Sequence, residues 1–292
     1  MSDLILNAKS RDLGGFSVAR AIPQANKRQV GPFVFLDHMG PLIVSDSSKL
    51  DVRSHPHIGL STVTYLVSGS GLHRDSLGHK QVIRPGDINW MTAGKGIVHS
   101  ERTPEEELTG GKKMQGIQVW VALPKELEEM EPSFVHYPKT VIPKFTLEDM
   151  FEATLMIGKF NEYLSPVKTY SPMIFMDLVA KREGRECLSF QDQEIGIFLI
   201  EGEASINGKD LEINDLIVVS NPKEIEVCVK EKTRLIIIGG EPLPEKRFMW
   251  WNFVSSRKER IHQVAQDWTD QKFGKVMEEE DFIPLPQDIP LP

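Results

Sequence analysis

Two short motifs in the first half of the chain combine side chains that can bind a metal ion. His55 and His57 are separated by one proline, and His99 and Glu101 are separated by one serine. In an extended strand, residues i and i+2 point to the same face, so each motif directs two donor groups one way. Residues 58–98 are long enough to form several short strands that return the chain beside its start. If these strands close into a barrel, all four side chains can point inward and meet.

The donor types indicate an open metal site. Imidazole suits Fe, Cu, Ni and Zn, and a carboxylate favours a harder divalent ion, so we expect Fe(II) first, with Mn, Ni, Cu or Zn as alternatives. Four protein ligands on an octahedral ion leave two positions for water, substrate or oxygen. The ligands must be neutral histidines and an ionised glutamate, whose ordinary pKa values are roughly 6.5 and 4.3, so metal release is expected in mild acid. Either motif alone is more often a surface or turn feature than a ligand set.

Short strands must position these side chains. Runs such as residues 62–67 and 116–121 are rich in β-branched residues and are bounded by Gly, Pro, Asp and Asn, a pattern typical of an antiparallel sandwich or barrel. The order strand, Gly turn, strand, Asp-containing turn, strand occurs over residues 65–88 and again over 196–219. This weak internal repeat predicts two similar β-domains.

One helix is predicted near the end of the chain. Apolar residues recur there with helical spacing at Ile261, Val264, Ala265 and Trp268. Ser255 or Ser256 can cap its start, and Gly274 can end it.

Composition narrows the function classes. The net charge of −8 argues against non-specific nucleic-acid binding, which requires a basic face, and permits a basic protein partner. Cys187 and Cys228 are too few for a disulfide scaffold or a four-thiolate zinc site. Because no secretory signal, apolar membrane span or glycosylation sequon is visible, we expect a cytoplasmic protein.

Other titratable groups are expected to have ordinary roles. The remaining histidines have no chemical partner nearby in the sequence and are predicted to be satisfied or solvated: His38, His73, His79, His136 and His262. The acidic run at residues 278–281 is predicted to be a solvated face.

The sequence resembles the pirin family of the cupin superfamily over nearly its whole length. Residues 35–41 resemble the opening family motif, and residues 55–57 resemble its first metal motif. The remaining motifs follow in order at residues 74–78, 85–87, 90–94 and 96–101, and residues 239–243 with the following helix resemble the C-terminal pirin domain.

The resemblance implies an all-β protein of two cupin-type antiparallel barrels, each a double-stranded β-helix, in tandem. Residues 1–138 would form an N-terminal metal-binding domain, and residues 139–292 a C-terminal cupin domain without metal ligands. The implied ligands of a single iron-type ion are His55, His57, His99 and Glu101.

The chain departs from the family pattern just after the His-x-His motif. Pirins usually have an arginine and a glutamate where this chain has Ile58 and Ser61. Loss of the acid alters the expected charge near the site, although the implied carboxylate ligand, Glu101, is kept.

Three functional hypotheses follow. Some pirins resemble flavonol dioxygenases that cleave quercetin-type substrates with O₂, and on this hypothesis Glu101 is both a metal ligand and the catalytic base for a substrate hydroxyl. A second hypothesis is a metal- or redox-dependent regulator that binds a transcription factor or a metabolic enzyme. A third is a structural β-protein with a vestigial site.

Overall fold

The computed structural model describes residues 2–13, 16–45, 49–108, 111–190 and 193–292, and its regular elements are almost all β-strands. In chain order, the first twelve strands are β1 (Leu4–Asn7), β2 (Lys9–Asp12), β3 (Ser17–Ile22), β4 (Phe33–Ile43), β5 (Asp51–His57), β6 (Leu60–Ser68), β7 (Gly71–Asp75), β8 (Lys80–Ile83), β9 (Ile88–Thr92), β10 (Ile97–Arg102), β11 (Lys113–Ala122) and β12 (Ser133–Tyr137).

The remaining strands are β13 (Lys144–Leu147), β14 (Phe151–Ile157), β15 (Lys159–Phe160), β16 (Tyr163–Leu164), β17 (Met173–Ala180), β18 (Gly184–Leu188), β19 (Glu194–Glu201), β20 (Ala204–Ile206), β21 (Lys209–Leu211), β22 (Asp215–Val218), β23 (Ile225–Val229), β24 (Arg234–Gly240), β25 (Phe248–Trp250) and β26 (Phe253–Ser255). The helices are α1 (Glu105–Leu108) and α2 (Lys258–Thr269), and Lys125–Leu127 forms a 3₁₀ turn. The predicted all-β class with a short C-terminal helix is confirmed.

The described residues form two compact units, and each unit combines stretches that are distant in the chain. The first unit consists of Met1–Ser10, Ala19–His38 and Thr140–Leu243, and the second consists of Arg11–Val18, Met39–Lys139 and Pro244–Pro292. The last stretch, Pro244–Pro292, therefore belongs to the same unit as the His-x-His motif. The division into domains 1–138 and 139–292 stays a prediction.

The first unit has a large apolar cluster between two antiparallel sheets. One sheet has the order β1-β22-β19-β24-β17-β14-β13, and the other has the order β18-β23-β20-β21. Inward residues of both sheets, such as Met176, Ile197 and Val227, belong to one buried hydrophobic cluster. Burial of this apolar surface is the main force that holds such a unit together.

The second unit pairs the sheet β5-β10-β7-β8 with the strands β12-β9-β6-β11, and β4 lies next to β11. A hydrophobic cluster that includes Leu50, Leu66, Ile83 and Met114 fills part of its interior. The predicted metal motifs lie on β5 and β10, which are neighbours in the smaller sheet.

Helix α2 packs against the backs of the two motif-bearing strands. Its predicted apolar residues are buried in one cluster with Ile58 and Val98, which adjoin His57 and His99 in the chain.

The predicted boundaries of the helix are wrong by a few residues. Arg257 occupies the cap position, with no side-chain cap, because the Ser255 hydroxyl accepts the Arg257 N–H and Glu128 engages Ser256. The helix ends at Thr269, before Gly274.

The acidic run near the C-terminus is not simply a solvated face. The side chain of Glu279 is only 4% exposed and accepts hydrogen bonds from the Ser100 hydroxyl (2.9 Å) and the Arg102 guanidinium (2.5 Å). Ile283 N–H donates to the Ser54 carbonyl at 2.8 Å, so this segment also follows β5. The prediction is therefore wrong for Glu279, because two basic side chains that are distant in the sequence lie beneath it: Arg74 and Arg102.

Within the described residues, no helix combines the length and the apolar character that crossing a membrane would require.

Candidate metal centre

Strand register places both predicted motifs on one face of the smaller sheet. In the antiparallel pair of β5 and β10, His99 lies directly opposite His55, and the register shifts between His99 and Glu101. Strand β7 pairs with the other edge of β10, with Asp75 opposite His99 and His73 opposite Glu101. Directly opposed residues share a face, so the side chains of these residues project to the same side as the two motifs.

Three imidazoles converge on that face. The ring centroid of His55 lies 4.4 Å from that of His99, and the centroid of His57 lies 5.0 Å from each of them. All three side chains are buried, and their candidate ligand nitrogens lie within 4.8 Å of one another. Among the described residues, this is the group that could hold a metal ion.

The outward nitrogens of two of these rings are held by backbone carbonyls. His55 Nδ1 lies 2.7 Å from the Arg53 oxygen, and His57 Nδ1 lies 3.2 Å from the Asn252 oxygen. A carbonyl can only accept, so each Nδ1 carries the proton and each Nε2 keeps its lone pair. This is the orientation that a ligating histidine has when a second group fixes its tautomer.

The ring of His99 shows whether the site fits a metal ion. His99 Nε2 is buried and has no hydrogen-bond partner among the described residues. A buried polar atom that lacks a partner costs about 1–3 kcal/mol, so such atoms are rare unless something else satisfies them. A cation between the three rings would satisfy this lone pair, and neutral imidazole is a common metal ligand. The residues present therefore fit a divalent metal.

Electrostatics keep the imidazoles neutral. Burial lowers the pKa of His57 and of His99 well below the ordinary value, and the neighbouring imidazoles lower it further. Burial also lowers the pKa of His55, although the Arg53 carbonyl and the Glu101 carboxylate act in the opposite direction. The three rings are therefore in the protonation state that metal binding requires at neutral pH.

Glu101 lies near this cluster but is held by a different sheet. Its carboxylate accepts hydrogen bonds from Gln118 Nε2 at 3.0 Å and from Thr64 Oγ1 at 3.2 Å. It is not among the groups whose ligand atoms lie within 4.8 Å of one another. Its role as a fourth ligand stays a prediction.

The structure adds neighbours that the sequence reasoning did not single out. His73, expected to be a satisfied or solvated residue, is buried with its ring centroid 5.3 Å from that of His99. The Trp120 ring lies edge-on to His57 at 4.9 Å. The signal that could have found His73 is its i, i+2 spacing from Asp75 on a predicted strand, the same spacing that marks the two metal motifs.

The other histidines have polar partners, as predicted. The closest are Asn214 Oδ1 for His38, Asp75 for His79, Asn89 Oδ1 for His136 and the Pro292 carbonyl for His262.

The side chains at the two departures from the family pattern pack in other environments than the histidine cluster. Ser61 and Thr64 are on opposite faces of β6, and Thr64 is the one that contacts Glu101, while Ser61 lies 3.3 Å from Thr92 Oγ1. Ile58 packs in the apolar cluster beneath α2. Strand alternation turns the Ser61 side chain to the face opposite to Thr64, so Ser61 does not contact Glu101 as Thr64 does, and its effect on the charge near the site stays a prediction.

Comparison with known proteins agrees with the geometry. A family model described as Pirin matches residues 15–121, and one described as Pirin C-terminal cupin domain matches residues 176–274. A pirin-like protein from Caulobacter vibrioides is 39% identical over 293 residues, which cover 98% of this chain and 100% of that protein. This chain belongs to the pirin family.

Further relatives support the same architecture for this pirin. A pirin-like protein from Solanum lycopersicum is 30% identical over 266 residues, which cover 89% of this pirin and 88% of that protein. A crystal structure of quercetin 2,3-dioxygenase from Acinetobacter baumannii superposes with a TM-score of 0.92 at 34% identity, and covers 99% of this pirin and 97% of that chain. The expected pair of cupin-type domains is confirmed.

Proposed function

We propose that this pirin is a metal-dependent dioxygenase that cleaves flavonols of the quercetin type, or related phenolics, with O₂. The observation that carries the proposal is the buried convergence of His55, His57 and His99 around the unsatisfied Nε2 of His99. The substrate class rests on the similarity, over nearly the whole chain, to a quercetin 2,3-dioxygenase of known structure.

The three histidines would hold the metal through their Nε2 atoms, with Glu101 as the fourth ligand. Fe(II) is the first choice because the donor set mixes imidazole with carboxylate, and Mn, Ni, Cu or Zn are alternatives. When bound, any of these ions would supply Lewis acidity that lowers the pKa of a coordinated hydroxyl, and the ions other than Zn would also supply redox capacity for oxygen chemistry.

Glu101 is the proposed catalytic base. Thr64 Oγ1 and Gln118 Nε2 donate hydrogen bonds to its carboxylate, which fix the direction in which the carboxylate oxygens point. Both donors lie on the larger sheet of the second unit, so the base is positioned independently of the strand that carries it. The edge of Trp120 adds apolar surface beside His57, which helps to exclude water from the site.

The test is anaerobic loading of the full chain with Fe(II), followed by quercetin and a pulse of oxygen. We expect about one metal per chain, oxygen uptake and a ring-opened product. Glu101→Gln should lower turnover by about 10²–10⁴-fold, the range typical of a lost general base. His262→Ala is the control because that histidine is exposed on α2 and, among the described residues, contacts the Pro292 carbonyl rather than the histidine cluster.

A metal-loaded chain that consumes no phenolic would reject the dioxygenase proposal. Retention of well under one metal equivalent after supply of iron and each alternative ion would favour a vestigial site. Binding of a protein partner that depends on metal or its redox state, without turnover, would favour the regulatory hypothesis.

A cytoplasmic location is also part of the proposal. Cys187 and Cys228 are both free thiols, as expected in a reducing compartment. Fractionation of cells that express the tagged chain would test it.

A further inference from the structure

A second layer of polar groups extends outward from His99. His99 Nδ1 lies 3.4 Å from His73 Nδ1, and His73 Nε2 lies 3.0 Å from Asp75 Oδ2. His73 and Asp75 are both buried, and they lie on β7, directly across from residues of β10. These three side chains therefore form a continuous row that starts at a proposed metal ligand.

The carboxylate of Asp75, at the end of this row, determines which atoms donate hydrogen bonds along it. A carboxylate can only accept, so His73 Nε2 carries a proton and donates it to Asp75. The other nitrogen of a neutral His73 is then an acceptor, so the Nδ1–H of His99 donates to it. That assignment leaves the lone pair of His99 on Nε2, the atom that has no partner among the described residues and faces the other two rings.

Packing fixes His73 in this position. Its ring stacks on Phe134 with centroids 4.2 Å apart and planes only 10° apart. Strand pairing independently places His73 opposite Glu101 and Asp75 opposite His99. A stacked ring in a paired strand has little freedom to turn, so its Nδ1 stays directed at His99.

Asp75 is itself held by the turn that follows β7. Its Oδ1 accepts the backbone N–H of Leu77 at 2.9 Å and that of His79 at 3.1 Å, and the His79 ring lies 3.0 Å from it. His79 Nδ1 also lies 3.0 Å from Oδ2, the oxygen that His73 Nε2 contacts at 3.0 Å. The carboxylate is therefore a fixed end point rather than a mobile surface charge.

We infer that His73 and Asp75 form a positioning pair that orients His99 for metal binding. The inference rests on the metal site of the proposed function and does not depend on which substrate that site uses. His73 would act through His99, and not as a ligand, because its nitrogens are engaged by His99 and Asp75. It is a positioning residue in the same sense as the Arg53 and Asn252 carbonyls are positioning groups for His55 and His57.

The experiment compares metal affinity, without turnover, in the full-length chain and three variants. His73→Phe keeps an aromatic ring on Phe134 but removes the acceptor, and His73→Gln restores an acceptor through its side-chain oxygen. His262→Phe is the matched control. Affinity for Co(II) or Ni(II) alone is measured by competition with a chelator, and the Cu(II)-loaded chains are examined by electron paramagnetic resonance to count nitrogen ligands.

We expect His73→Phe to bind metal about 10–100-fold more weakly, the usual effect of losing a group that orients a metal ligand. His73→Gln should recover part of that loss, His262→Phe should bind as the unaltered chain does, and the number of nitrogen ligands should not change. Circular dichroism of the metal-free chains verifies that each variant is folded. If His73→Phe does not fold, the affinity of the His73→Gln chain decides the test.

Unchanged affinity in a folded His73→Phe chain would overturn the inference, and so would loss of one nitrogen ligand, which would make His73 a ligand itself. The outcome is separable from that of the proposed function. An unaltered chain that binds metal but oxidises no flavonol would overturn the dioxygenase alone, whereas an unaltered chain that binds no metal would overturn both.

Discussion

At the residue scale, the candidate centre is defined by which nitrogen of each histidine has a partner. Backbone carbonyls occupy Nδ1 of His55 and His57, whereas Nε2 of His99 is buried without a hydrogen bond among the described residues. Burial is the largest cause that lowers the pKa of all three rings, and repulsion from neighbouring imidazoles adds to it: His55 acts on His57, His55, His57 and His73 act on His99, and His73 acts on His55. The metal release in mild acid that ordinary pKa values predict should therefore shift to more acidic conditions.

The same lowered pKa values predict how the stability of the metal-free protein depends on pH. Above about pH 6.5 the three histidines are neutral in both states, so they add no pH dependence. Below about pH 6.5 the unfolded chain binds protons that the folded chain does not, so the free energy of unfolding should fall as the pH falls. Urea unfolding of the metal-free chain at pH 7.5, 6.5 and 5.5 measures this slope.

Between pH 6.5 and 5.5, the histidines and not the carboxylates are expected to change the free energy of unfolding. The lowered pKa values of Asp75 and Glu279 reduce stability only at more acidic pH, near and below their ordinary values of 3.8 and 4.5. His262→Ala should keep the slope between pH 6.5 and 5.5, and His57→Phe should reduce it. A free energy of unfolding that is constant across this window would contradict the prediction.

At the element scale, the C-terminal segment supports β5 and β10, the two strands that carry the candidate metal motifs. Helix α2 packs on Ile58 and Val98, and Glu279 binds Ser100 and Arg102, which flank Glu101 in β10. Burial raises the pKa of Glu279, but the bonds from Arg102 and Ser100 outweigh burial and hold this pKa below its usual value. The segment is thus a structural part of the site.

Glu279→Gln tests this support. The amide keeps the shape but removes the charge that Arg102 and Arg74 satisfy, so we expect the free energy of unfolding at pH 7 to fall by about 1–3 kcal/mol. The neighbouring Glu280→Gln is the control, because Glu280 is exposed and surface substitutions usually change stability by less than about 0.5 kcal/mol. Equal stabilities of the two variants in urea unfolding would refute the role of Glu279.

At the scale of the whole molecule, the two units share a sheet architecture but differ in what they bury. The first unit has an apolar cluster between its two sheets, whereas the second groups buried histidines with Asp75 and Glu101 on one face of β5, β10 and β7. Stretches of the two units alternate along the sequence, and the last stretch, Pro244–Pro292, belongs to the unit that carries the histidines.

Truncation after Leu243 tests this interleaving. Removal of Pro244–Pro292 takes away α2, the Asn252 carbonyl that holds His57, and Glu279. We expect the truncated chain to lose metal binding by at least 10–100-fold, together with cooperative unfolding of the second unit. Chelator competition and circular dichroism measure the two effects. Undiminished affinity in a chain that ends at Leu243 would show that metal binding does not require Pro244–Pro292.

The sequence by itself determined the two candidate metal motifs, the all-β class and the apolar face of α2. Each of these depends on local periodicity: i, i+2 spacing aims His55 and His57 one way, and helical spacing groups Ile261 with Val264, Ala265 and Trp268.

Only the tertiary structure decided which groups surround those motifs. His73, Asn252 and Glu279 reach the site through strand pairing and through the return of the C-terminal segment, and Ser61 is turned away from it by the phase of its strand. Local patterns cannot encode these contacts, because burial and pairing between distant segments set them, and a shift of one residue in register would reverse every face.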